Sequence, residues 1–125
     1  MYYFVSNKNF DGQTLYPRIP KNRMCNEDED IERICVSQSI DGCLIATYYV
    51  VGDIVYVHTC EPNYDKVITP SIKQVEDSPF TGEQWIIEPV KMNLFMKLII
   101  TETIERIIGD GDMNINTYRY KIYND

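Results

Sequence analysis

The run Ile54-Val55-Tyr56-Val57-His58-Thr59 constrains this chain more than any other segment. It is β-prone throughout and is set off from what precedes it by the break at Gly52-Asp53. Shorter runs of the same character recur along the sequence. Tyr2-Tyr3-Phe4-Val5 ends at a polar Ser6-Asn7-Lys8-Asn9 turn, Arg33-Ile34-Cys35-Val36-Ser37 reads as a strand, and Gln84-Trp85-Ile86-Ile87-Glu88 is closed by Pro89. Leu94, Met96, Leu98 and Ile100 alternate with Asn93, Phe95, Lys97 and Ile99, a strand pattern buried partly on both faces, with a helix as the alternative over 101–108. The turn signal Gly109-Asp110-Gly111-Asp112 then leads to Thr117-Tyr118-Arg119-Tyr120-Lys121-Ile122-Tyr123, whose alternating aromatics predict a terminal strand. The sum is an α+β chain, mostly β, forming a single domain over 1–125 with one or two short helices.

The best helix signal follows the Arg33 strand. Ser39 can cap it, Asp41 lies in its first turn where negative charge suits the helix dipole, and Ile40, Cys43, Leu44 and Thr47 recur at helical spacing. Gly42 inside that helix costs about 1 kcal/mol relative to alanine, which points to close packing against another element. Two prolines in Leu15-Tyr16-Pro17-Arg18-Ile19-Pro20 forbid a helix interior and imply an extended, ordered loop. The polar stretch 61–79 reads as a long connection of the kind that often holds functional residues.

Charge and composition remove several classes. Twelve Lys and Arg stand against 19 Asp and Glu, a net charge of −7, which argues against binding nucleic acid through its phosphates. An acidic field instead favours a basic protein surface. Glu27, Asp28, Glu29 and Asp30 form the obvious lure for one, or else a solvated charge run. No apolar run approaches the ~18 residues of a membrane span, and Met1-Tyr2-Tyr3-Phe4-Val5 lacks a basic leader segment, so a cytoplasmic location is expected. The four cysteines Cys25, Cys35, Cys43 and Cys60 contain no C-x-x-C pair, and His58 is the only histidine. Buried thiols are therefore expected rather than a metal site. The single histidine also restricts Cys-His and Ser-His-Asp catalysis, and no phosphate-binding glycine loop is present.

One constellation survives these exclusions. Ser37-Gln38-Ser39 ends a strand immediately before a capped helix, and Thr81-Gly82-Glu83 opens a second strand. Hydroxyls at one strand end can position a ribose, and a carboxylate nearby can stabilise the positive charge that develops as a C–N glycosidic bond breaks. The plainer alternative makes Ser39 an N-cap and Glu83 a solvated residue at the start of its strand.

The order Tyr3-Phe4-Val5-Ser6, Leu15-Tyr16-Pro17-Arg18-Ile19-Pro20-Lys21-Asn22, Arg33-Ile34-Cys35-Val36-Ser37-Gln38-Ser39-Ile40-Asp41 and Val55-Tyr56-Val57-His58-Thr59-Cys60-Glu61-Pro62 resembles the small rifampin ADP-ribosyltransferases. Asp77-Ser78-Pro79-Phe80-Thr81-Gly82-Glu83-Gln84-Trp85 and Glu88-Pro89-Val90 continue the likeness. The chain is also similar to uncharacterised proteins of phages and mobile elements of Gram-positive bacteria. The first resemblance implies a split β-sheet ADP-ribosyltransferase-like core that grips NAD in a cleft. On that resemblance Phe4 takes the place of the family's first-strand histidine, Cys35 falls near its nicotinamide-stacking tyrosine, Ser37 and Ser39 match its small hydroxyl residues, and Glu83 is the catalytic acid. Trp85 or Phe4 would pack on a ring of the cofactor. Phe4 has no hydrogen bond to give and Cys35 has little stacking area.

Two readings follow. In the first, the protein is a phage or mobile-element accessory factor that occupies a host protein, with degenerate or absent catalysis. In the second, it is an active NAD-dependent transferase or NAD glycohydrolase, using Glu83 for catalysis and Phe4, Ser37, Ser39 and Trp85 for the cofactor.

Overall fold

Backbone pairing follows the β-prone runs in the computed structural model, which describes residues 1–20, 30–74, 78–108 and 113–124. The strands are β1 (Tyr2–Ser6), β2 (Thr14–Leu15), β3 (Ile34–Ser37), β4 (Ile54–Cys60) and β5 (Val67–Ile68), followed by β6 (Glu83–Ile86), β7 (Val90–Lys91), β8 (Asn93–Ile108) and β9 (Met113–Ile122). The helices are short: α1 (Ile40–Ile45) and the single turn α2 (Ser78–Thr81). Seven strands form one sheet in the order β5-β6-β3-β1-β4-β8-β9, while β2 and β7 pair separately. Every pairing is antiparallel. The result is a mostly β, sheet-rich domain with two short helices.

Strand alternation divides the core between the two faces of the sheet. Val5, Val55 and Val57 join Leu44, Leu98 and Ile100 on one face, which α1 covers. Phe4 and Cys60 join Ile34, Val36, Ile86 and Met92 on the other, which Phe10 and Leu15 help to close. Each fully buried side chain of this kind contributes roughly 1.5–3 kcal/mol from lost apolar exposure.

The helix over 101–108 is not adopted. Those residues continue β8, whose pairing with β9 runs from Leu98↔Ile122 to Ile108↔Met113. Cross-strand partners decide the matter, because β-branched Thr103, Ile104, Ile107 and Ile108 suit a pleated ribbon better than a helix. The turn expected at 109–112 lies outside the described residues. Three short strands escaped the sequence reading: β2 and β7, two residues each, and β5 inside the expected 61–79 connection.

The sheet is narrowest between β1 and β3. Five residues of β1 pair with β4, from Tyr2↔Cys60 to Ser6↔Tyr56, whereas among the described residues Tyr3↔Ser37 is the one β1–β3 pair. Beyond that one pair the two strands separate, and a cavity lies on each side of the junction.

Candidate functional site

The first cavity, about 170 Å³, lies on the α1 side of the junction. Its walls include Phe4, Cys35, Ser37, Gly42, Thr81 and Glu83. Four residues singled out from the sequence therefore come together here. Ser37 and Glu83 are register partners across β3 and β6, so the hydroxyl and the acid sit side by side.

The folding of this corner explains why. Ser39 caps α1 by accepting a hydrogen bond from the Gly42 amide at 3.0 Å. Gly42 then runs so close to the Thr81 carbonyl and the Ser37 and Ser39 hydroxyls that no Cβ can fit. The sequence-based expectation of close packing at Gly42 is met by that contact. Gly82 adopts φ +62°, a left-handed conformation glycine takes without strain, and so turns the chain from α2 into β6. These two glycines bring Thr81-Gly82-Glu83 over the N-terminal end of α1.

The polar groups of the cavity are tied to the protein itself. Ser37 Oγ donates to the Thr81 carbonyl at 2.9 Å, and Ser39 N donates to Ser37 Oγ at 3.3 Å. Thr81 Oγ1 accepts from the Glu83 amide at 3.1 Å. Glu83, 7% exposed, accepts on Oε2 from the Trp85 indole Nε1 at 2.6 Å. A charge-assisted bond of that length fixes both side chains. Cys43 Sγ donates to the Tyr3 carbonyl at 3.2 Å, and burial pushes its pKa up to about 12.

Two of the residues singled out do not line this cavity. Ser39 is exposed and occupied with capping. Trp85 is fully buried and lies under the Arg33 guanidinium, 4.1 Å from the ring centre. Phe4 lines the cavity while also packing on Phe10 and His58, with ring centres 6.1 and 5.8 Å away.

His58 is a buried structural residue. Its Nε2 accepts from the Phe10 amide at 2.9 Å, and its Nδ1 faces the Phe4 carbonyl at 3.3 Å. The neutral ring with a proton on Nδ1 satisfies both contacts. Burial lowers its pKa, against the opposing effects of the Phe4 carbonyl and Asp11. Cys60 is a buried free thiol raised to about 11, chiefly by burial. Among the described residues no group of three or more His, Cys, Asp or Glu could hold a metal ion.

A surface the sequence reading missed lies at residues 47–53. Tyr48, Val50 and Val51 are 75%, 47% and 60% exposed, although their backbone is well held. The Tyr118 hydroxyl accepts from the Tyr49 amide and donates to the Thr47 carbonyl, at 3.1 and 3.0 Å. Asp53 closes the turn by accepting from the Val50 amide at 2.8 Å, and Gly52 N donates to the Ile100 carbonyl. The signal was present as the apolar run Thr47-Tyr48-Tyr49-Val50-Val51 before Gly52, but its outward direction was not. Of the acidic run, Glu27, Asp28 and Glu29 lie outside the described residues, and Asp30 is exposed. Among the described residues no helix is long and apolar enough to cross a membrane. The chain matches no protein-family model, no curated protein and no solved structure.

Proposed function

We propose that this chain is an accessory protein, of the kind carried by phages and mobile elements, that acts by docking on a host protein rather than by turning over NAD. The observation that carries this reading is the ordered display of Tyr48, Val50 and Val51 on a turn anchored by Tyr118 and Asp53. Large apolar side chains exposed together on a fixed backbone bind a partner without the entropic cost of ordering a loop. The net charge of −7 adds the preference for a basic surface around the apolar contact.

NAD fits the Ser37–Glu83 cavity poorly. Its volume of about 170 Å³ lies below the ~300–1,000 Å³ usual for small-molecule sites. Phe4 donates no hydrogen bond, and Ser37 and Glu83 bond to Thr81 and Trp85. An ADP-ribosyltransferase-like core is retained in this reading as an architecture whose hydroxyl and acid hold the fold together. The second reading, an active transferase, draws its support from the apposition of Ser37 and Glu83.

The docking reading is tested by capturing the partner from host lysate and then titrating the purified pair directly. The Tyr48→Ser/Val51→Ser double variant should keep its thermal midpoint and lose at least tenfold in affinity. Unchanged affinity removes this surface from the function.

A further inference from the structure

The second cavity at the β1–β3 junction differs from the first in size and in charge. It measures about 540 Å³ and lies toward the face closed by Phe10 and Leu15. Phe4, Phe10, Leu15 and Ile34 supply apolar walls, and Ser6, Asn7, Thr14 and Tyr16 add polar groups and one exposed ring. Among the described residues, Lys8 and Arg18 are the exposed cations of its lining, and that part of the lining contains no Asp or Glu. In a chain of net charge −7 that is a local reversal of sign. No ion pair links Lys8 or Arg18 to a carboxylate among the described residues, in contrast to Arg119, which pairs with Glu102 at 3.4 Å. A volume in the small-molecule range, aromatic walls and two exposed cations select an anion that carries a ring.

We propose that this cavity binds a ring-bearing phosphate monoester, with Lys8 and Arg18 holding the phosphate and Phe4, Phe10 and Tyr16 flanking the ring. Arginine can grip phosphate oxygens through two N–H groups, and lysine adds a mobile point charge. The site is separate from the docking turn and does not depend on it. His58 is not part of the lining; its ring packs against Phe4 and Phe10, and both of its ring nitrogens face backbone groups of those two residues.

The test is calorimetric and NMR titration of the full chain with phenyl phosphate, AMP and inorganic phosphate at low and moderate salt. Both ring-bearing phosphates should bind at least fivefold more tightly than inorganic phosphate and weaken as salt rises. Their shift perturbations should centre on the Lys8, Phe10 and Tyr16 amides. Lys8→Gln/Arg18→Gln, two exposed substitutions, should leave the thermal midpoint in place and reduce affinity at least tenfold. Ser37→Ala should leave it unchanged. Equal binding by inorganic phosphate, unaltered affinity in the double variant, or an equal loss in Ser37→Ala would each overturn the proposal. Each outcome is independent of whether Tyr48 and Val51 engage a partner.

Discussion

The two cavities that flank the β1–β3 junction share Phe4, Pro20 and Cys35 yet have opposite characters. The one containing Ser37 and Glu83 is small, and both side chains are bonded to neighbouring parts of the chain. The one containing Lys8 and Arg18 is about three times larger and presents exposed cations beside aromatic walls. Residues with catalytic-looking chemistry can also serve the fold, as the bonds of Ser37 to Thr81 and of Glu83 to Trp85 do here. Ser37 and Thr81 tie β3 to the α2–β6 turn, and Glu83 orients Trp85. On the proposed reading, ligand capacity lies instead on the side where Lys8 and Arg18 are exposed.

If the Ser37 side is structural, substitutions there must cost stability. The largest effect should come from Gly42→Val, whose side chain would strike the Thr81 carbonyl and the Ser37 hydroxyl. Overpacking of this kind costs about 1–3 kcal/mol or more, so the urea midpoint should fall sharply. A midpoint within error of the native protein would mean that the corner is loose. Trp85→Phe should cost about 1–3 kcal/mol, because it leaves the Glu83 carboxylate buried without its indole donor. If Glu83→Gln in that background restores part of the loss, the coupling is confirmed as Glu83–Trp85.

On the Lys8 side, His58 provides a pH test. Its pKa is lowered by burial, so the unfolded chain binds the proton more readily than the native one. Its contribution is complete above the unfolded value near 6.5 and is lost as pH falls below it toward the depressed native value. Between pH 7.5 and 5.5 stability should fall, and His58→Gln should flatten that slope. A slope unchanged by the substitution would assign the effect elsewhere. The smallest effect is expected for Ser37→Ala, about 1 kcal/mol by chemical denaturation, from loss of one hydrogen bond to the Thr81 carbonyl.

Periodicity made most of the sheet legible in advance. The Ile54 run, the alternation from Asn93 to Ile100 and the terminal aromatics all became strands, and Ser39 capped the predicted helix. The region 101–108 was ambiguous because its Ile and Thr spacing suits either structure, and only the partner strand decides. Two-residue strands such as β2 and β7 carry too little pattern to be read. The meeting of Ser37 with Glu83 could be guessed from residue type, but their bonding state could not, since Thr81 and Trp85 become partners only through the fold. Lys8 and Arg18 gave no motif at all, because nine residues of chain separate them and only the junction of β1 with β3 puts them on one cavity.

On the docking reading, Glu83 holds the fold rather than performs chemistry. The most direct measurement follows NAD consumption and label transfer to host lysate by the native chain and by Glu83→Gln, with the thermal midpoint of each. Glu83→Gln should then show a lowered midpoint, and neither protein should consume NAD above buffer. NAD consumption by the native chain that disappears in a Glu83→Gln variant of unchanged stability would contradict it.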